Sequence, residues 1–237
     1  PTEGFKKMAA LSLPDYHVQD LDGHVIEAKI EDLEAGFGYT LPKDKFRQPY
    51  IARQVRVTIP IHLAPLSWAS FQLVEGPAAQ SDGIFQNGVI DTPFVTVSVD
   101  EGITVYDKTT NEAYEDFIQF EDRGDIGNEY IYFQPKGTEP IFAQLKGYEV
   151  LENNARYAKV LLKHDFTIPV SADEKLDAEQ RGIIEFMKRD AGRSEELTTI
   201  PLETELTVFV DNPQIRFKTR FTNTAKDHRI RLLVKTH

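Results

Sequence analysis

The sequence of 237 residues has no cysteine, one tryptophan and two methionines. Without thiols there is no disulfide framework and no thiolate metal site. That composition fits a reducing compartment, so a cytoplasmic protein is expected. No apolar run approaches the roughly 20 residues that carry a helix across a bilayer. The opening residues, with Lys6 and Lys7 among them, lack the apolar stretch of a signal peptide. Cations are the scarcer charge: 27 Lys and Arg against 38 Asp and Glu leave a net charge of −11. That balance disfavours nucleic acid and anionic membrane as partners, because both reward basic patches. There is no glycine-rich phosphate loop and no G-x-S-x-G elbow. No fixed-period repeat and no strand–helix–strand alternation is evident, which excludes a solenoid and a parallel sheet.

Histidines are few and scattered, at 17, 24, 62, 164, 228 and 237. None forms the i, i+2 or i, i+4 pair that would place two ligands on one ion, so no metal site is expected within this chain. Asp227 and His228 are neighbours, and in a strand neighbours face opposite ways.

What the chain does have is β-forming sequence, with 15 Phe and 9 Tyr. The expected class is all-β. A small β-sandwich is expected over 1–75, a linker over 76–83, and a large antiparallel β-sandwich over 84–237. In the first part, Tyr16–Asp20 and the turn at Asp22-Gly23 read as strand and turn. Arg53–His62 alternates, with Val55, Val57, Ile59 and Ile61 on one face and Pro60 at an edge or bulge. Gly36-Phe37-Gly38 reads as a short turn before Tyr39. Trp68 reads more readily as core than as a sugar-stacking ring.

In the second part the clearest signal is a hairpin, Phe94–Val99 and Ile103–Asp107, joined by Asp100-Glu101-Gly102. Further strands are expected at 130–134, 141–144, 148–151, 157–166, 202–210, 214–223 and 229–234. The final segment reads as a strand running to His237, so a longer parent chain is expected, with the large sandwich truncated at its C-terminus. One short helix is expected near 173–190. Ser171 and Glu174 would form its capping box, and Leu176, Ile183, Ile184 and Met187 would share its apolar face.

The densest chemistry lies at Gly124-Asp125-Ile126-Gly127-Asn128-Glu129-Tyr130-Ile131-Tyr132, preceded by Glu121 and Asp122. Gathered carboxylates suit glycoside hydrolysis or a calcium site. A solvated acidic turn fits the same residues, and spacing alone leaves both readings open. A second polar knot, Asn223–Arg231, holds Asp227, His228 and Arg229. It reads as a turn ordered by charge-assisted bonds between Asp227 and Arg229.

Three stretches carry a resemblance when taken together. They are Val99–Lys108 with Asn111 and Tyr114-Glu115-Asp116, then Phe120–Tyr132, then Phe221–Arg231. In this order and at about this spacing they resemble the C-terminal β region of glycoside hydrolase family 38, the α-mannosidases. The bacterial branch that includes mannosylglycerate hydrolases is the most similar. Pro65–Leu73 looks like the segment that closes a preceding small sandwich in that family.

The resemblance implies a galactose-mutarotase-like supersandwich for the large β unit. It also implies a parent enzyme that is a zinc-dependent retaining α-mannosidase, whose His-x-Asp zinc motif and aspartate nucleophile lie in an N-terminal part absent from this sequence. By that implication the chain holds no catalytic residue and no cofactor of its own, and it meets the α-mannoside only through that other part. Tyr130 would contact the bound sugar, Asp125 and Asn128 would support the loop, and Asp227, His228 and Arg229 would be structural. An independent carbohydrate-binding module is the alternative. A mutarotase-like epimerase would need a histidine and a carboxylate facing one sugar, and no such pair stands out. Oligomeric state is left open.

Overall fold

The computed structural model describes residues 3–79 and 82–236. Gln80 and Ser81 of the expected linker and the terminal His237 lie outside the described residues. The chain divides into two compact units, Pro1–Ser81 and Asp82–His237.

The first unit opens with a helix that sequence reading did not anticipate, α1 (Glu3–Ala9). Two small antiparallel sheets follow. One orders β2 (Val25–Ile26), β1 (Tyr16–Gln19) and β5 (Gln72–Glu75) side by side. The other is a two-stranded ribbon of β3 (Lys29–Thr40) and β4 (Gln48–Thr58). The expected turn at 36–38 is instead inside β3. Gly36 and Gly38 stand opposite Ala52 and Tyr50, and a Cβ on Gly38 would lie 2.6 Å from the Tyr50 ring. The glycines admit the large side chains of the partner strand and do not mark a turn. Pro60 is neither edge nor bulge, because β4 has already ended at Thr58. Leu11–Leu13 forms no strand.

Arg53 anchors the ribbon's base. It forms a bidentate pair with Asp32 and donates from Nη1 to the carbonyls of Met8 (3.2 Å) and Ala9 (3.1 Å) at the end of α1. Val18 is the one buried hydrophobic residue among the described residues of this unit. Trp68 is 81% exposed, against its expected place in a core.

The second unit is built on a five-stranded antiparallel sheet and a four-stranded one. The first runs β10 (Glu112–Tyr114), β9 (Thr104–Asp107), β8 (Val95–Ser98), β7 (Val89–Asp91), β6 (Phe85–Gln86). The second runs β13 (Gln144–Asn153), β14 (Tyr157–Pro169), β15 (Leu197–Phe209), β16 (Ile215–Arg220). Period-two alternation makes them amphipathic: Ala158, Val160, Leu162, Phe166 and Ile168 of β14 point inward beside Ile200, Leu202, Leu206 and Val208 of β15. The β14–β15 register runs unbroken from Tyr157 opposite Phe209 to Pro169 opposite Leu197. One core cluster joins β7, β8 and β9 to β14 and β15, so the two sheets form a sandwich. The hairpin read from sequence is present as β8–β9, with Val95 opposite Asp107 and Ser98 opposite Thr104.

A third sheet orders β12 (Ile141–Phe142), β11 (Ile118–Gly124) and β17 (His228–Val234). The last strand ends at Val234, as the expected 229–234 strand does, and does not run on toward His237; Lys235 N–H still donates to Phe117 O at 2.9 Å. Between β14 and β15 lies α2, which spans only Lys175–Arg181. Ser171 does not cap it, because its hydroxyl donates to Ala172 O (2.7 Å) and Glu174 makes no side-chain cap bond. Asp173 accepts from Lys175 N–H (3.1 Å) and, with its other oxygen, from Gly192 N–H (3.0 Å). The helix stops at Gly182 and Ile183 turns left-handed (φ +54°). Ile183, Ile184 and Met187 are therefore exposed and do not share the face of buried Leu176.

Candidate functional site

β11 delivers the chain into the polar loop. Its first residues alternate, with Ile118 and Phe120 inward, but Glu121 and Asp122 that follow are both buried as well. Burying carboxylates is costly unless each is paired. Glu121 accepts from Arg123 Nε (2.9 Å) and Nη2 (3.1 Å) and from Arg231 Nε (2.9 Å). The Arg123 guanidinium first, and Arg231 after it, hold the Glu121 carboxyl below its ordinary range despite burial. Arg123 also donates to Gln134 Oε1 (3.0 Å). On the other face, Asp122 lies 2.6 Å from His228 Nδ1 and 2.5 Å from Arg193 Nη1, with all three side chains buried. His228 Nε2 is 3.1 Å from Asn223 Oδ1. Adjacent residues of one strand thus hold two separate ion clusters, because alternation sends them to opposite sides.

Residues 125–133 form a narrow loop, where a strand was expected from Tyr130. Asp125 Oδ1 accepts the N–H groups of Gly127 (2.9 Å) and Phe133 (3.1 Å), and Asn128 Oδ1 accepts those of Tyr130 and Ile131 (both 2.9 Å). Backbone bonds from Ile126 to Phe133 (2.8 Å) and from Asn128 to Ile131 (3.0 Å) close it. These bonds take up donors that a ladder would have needed, which is why no strand forms. Gly127 has no room for a side chain: a Cβ would sit 1.8 Å from Ile131 O.

From outside the loop, buried Arg189 donates through Nη1 to Ile126 O and Gly127 O, both at 2.6 Å. Ile126 packs with Ala172, Leu176 and Ala191, and Phe133 packs against the same cluster. Tyr130 is at the loop's tip and is 93% exposed. Asp125 and Asn128 therefore share one loop with Tyr130.

The second polar knot is brought to the same place. Asp227 O accepts from Asp125 N–H (2.8 Å), and Asp227 Oδ2 accepts from Ala172 N–H (3.2 Å). The expected Asp227–Arg229 bond is replaced. Asp227 orders the turn through Ala172, and Arg229 lays its guanidinium 3.6 Å from the Tyr132 ring centre. Nor do Asp227 and His228 face apart. Asp227 precedes β17 and is left-handed (φ +51°), so strand alternation does not apply to it. Both line a polar cleft of about 490 Å³. Asp125, Gly127, Asn128 and Glu129 form one wall, and Leu176, Gln180 and Arg189 form another. Tyr130 does not line it. Asp122 was read from sequence as one of the gathered carboxylates and not as an ion-pair partner of His228 and Arg193, and Arg189 and Arg193 were not singled out. Nothing local marks them, since their partners are far along the chain.

His228 is engaged by Asp122 and Asn223. His164 is buried against the edge of Phe120. Among the described residues, one group gathers three ligand types: Asp20, Asp22 and His24. There Asp20 Oδ1 accepts the N–H groups of Asp22 and His24 (both 2.9 Å), and its other oxygen lies 3.0 Å from His24 Nδ1. These contacts close an exposed turn.

Comparison with known proteins gives this architecture a context. Residues 1–75 match the model of Glycosyl hydrolases family 38 C-terminal domain 1. A curated relative from Halalkalibacterium halodurans, named "Putative mannosylglycerate hydrolase", is 31% identical over 96% of this chain and 27% of its own length. The crystal structure of an alpha-mannosidase from Enterococcus faecalis V583 superposes with a TM-score of 0.83 at 34% identity, over 98% of this chain and 27% of that one. A glycosyl hydrolase family 38 protein from Enterococcus faecalis gives a TM-score of 0.81 at 30% identity, over 97% and 28%. The chain therefore spans about 27% of the length of the curated relative it matches. In sequence and in fold, this chain is the counterpart of the C-terminal β region of family 38 glycosyl hydrolases.

Proposed function

We propose that the chain is the non-catalytic β portion of a zinc-dependent retaining α-mannosidase, and that its 124–132 loop helps to line the sugar site. The carrying observation is Tyr130, which is 93% exposed at the tip of a loop whose backbone is hydrogen-bonded on both sides of it. Asp125, Asn128 and Arg189 hold the backbone on both sides of it. A preorganised loop presenting one phenol suits a neutral sugar, because a phenol can donate to or accept from a hydroxyl without adding charge. The similarity to a mannosylglycerate hydrolase and an alpha-mannosidase supports an α-mannoside as substrate and a place in mannose metabolism.

In a retaining glycosidase one carboxylate attacks the sugar and a second group protonates the leaving oxygen. In this reading both come from a part of the protein outside this sequence. So does the zinc, which would supply Lewis-acid contacts to sugar hydroxyls. This chain's residues bind and orient. Tyr130 contacts the sugar, and Asp227, His228 and Arg229 hold the base of the loop. No helix among the described residues is long and apolar enough to cross a membrane. The lack of cysteine supports a cytoplasmic location.

The test has two arms. The 237-residue chain alone should not hydrolyse a nitrophenyl α-mannoside; robust turnover would place the machinery within it and refute the proposal. In the parent enzyme, Tyr130→Phe should lower kcat/KM by about five- to tenfold, the worth of one hydrogen bond of about 1 kcal/mol. An unchanged kcat/KM removes Tyr130 from the site.

A second reading, an independent carbohydrate-binding module, is favoured by one observation. Trp68 is exposed and offers a free ring for stacking on a sugar. Saturable quenching of fluorescence by mannosides, weakened in Trp68→Ala, would support it.

A further inference from the structure

The β3–β4 ribbon carries aromatic side chains on a surface that nothing in its own unit covers. Leu41 and Phe46, each 83% exposed, lie at its tip, and Phe37, Tyr39 and Tyr50 are about half exposed beside them. Phe37 and Tyr39 meet edge to face with centroids 4.8 Å apart, and Arg47 lies 4.6 Å from the Tyr39 ring and 5.8 Å from that of Phe46. A two-stranded ribbon is marginal by itself, and an apolar cluster at its tip is the mark of an interaction surface. The tip is also basic. Lys43, Lys45 and Arg47 outnumber Asp44, in a chain whose net charge is −11. Among the described residues no carboxylate pairs with these three cations.

The complementary surface is on the same polypeptide, in the other unit. At the β10 edge of the five-stranded sheet, the turn before β9 and the turn after β10 carry exposed Glu101, Glu115 and Asp116, none paired with a cation among the described residues, and Tyr106 of the adjoining β9 is partly exposed. We infer that the ribbon tip of one copy docks on the β9–β10 edge of a second copy, aromatic cluster against tyrosine and cations against carboxylates. If the contact is made reciprocally it closes as a two-fold dimer. Unmatched charge of opposite sign on the two surfaces favours a second copy over any partner from outside.

The test is sedimentation velocity of the 237-residue chain at micromolar concentration in low and high salt. A dimer is expected at low salt, weakened at least tenfold by high salt because exposed charge pairs are screened. Phe46→Ser with Arg47→Glu should yield monomer at every salt, with circular dichroism confirming the fold. Glu101→Lys with Glu115→Lys should do the same. Mixing that edge variant with Lys43→Glu/Lys45→Glu/Arg47→Glu should restore association between the two. A chain that is monomeric at low salt overturns the inference, as does a dimer indifferent to the tip. Failure of the mixed pair overturns the assignment of the edge. Retention of a labelled oligonucleotide by a monomer, lost in Arg47→Glu, would assign the tip to nucleic acid instead.

Discussion

Single residues decide how the polar loop is held. Gly127 faces Ile131 O so closely that Gly127→Ala should destabilise the chain by about 1–3 kcal/mol, as overpacking does. The melting temperature should fall, and an unchanged value would mean that the loop can open at no cost. His164 is a second case. Burial beside the edge of Phe120, between cross-strand neighbours Leu145 and Leu202, lowers its pKa to about 4. Its ordinary value in the unfolded chain is about 6.5, so between these two values the unfolded state binds more protons. The stability contributed by neutral His164 is therefore complete above pH of about 6.5, falls as pH drops through that window, and levels off below about 4. The loss amounts to at most about 3 kcal/mol. His164→Leu should flatten this slope in urea titrations taken across pH; a slope identical to that of the parent chain would exonerate the histidine. The sequence showed a lone histidine within the strand expected over 157–166. It did not show that the ring would find no charged partner there.

Among the elements, the long β14–β15 pair dominates. Phe166 is fully buried where two core layers meet, whereas Thr167 is exposed and bonds to Thr199 across the pair (2.9 Å). Phe166→Ala should cost about 3–5 kcal/mol in equilibrium denaturation. Thr167→Ala should cost within about 0.5 kcal/mol. Comparable losses would contradict the inside–outside assignment. Period-two alternation made these strands legible, and the β8–β9 hairpin was legible from its three-residue connection ending in Gly102. The segments 125–133 and 171–194 were not. Their order comes from Asp125, Asn128 and Asp173 bonding to backbone N–H groups, and from Arg189 reaching carbonyls over sixty residues away in the chain. Such bonds leave no periodic trace.

The two units of the whole molecule differ in what holds them. All three core clusters lie in Asp82–His237, whereas Val18 is the single buried hydrophobic residue described in the other unit. Residues 82–237 expressed alone should therefore keep a cooperative thermal transition, and residues 1–81 alone should not. A sharp transition from the small piece would show that burial in its sheets is underestimated. The all-β class, the place of most strands along the chain and the likeness to the C-terminal β region of family 38 followed from the sequence. Alternation and turn residues are local, and three motifs in order are hard to match by chance. Tertiary structure alone decided that Asp122 and His228 meet, that Asp227 and His228 share a cleft, and that Tyr130 and Trp68 point outward. Those outcomes depend on register between distant strands and on the sign of one backbone angle, neither of which a stretch of sequence carries by itself.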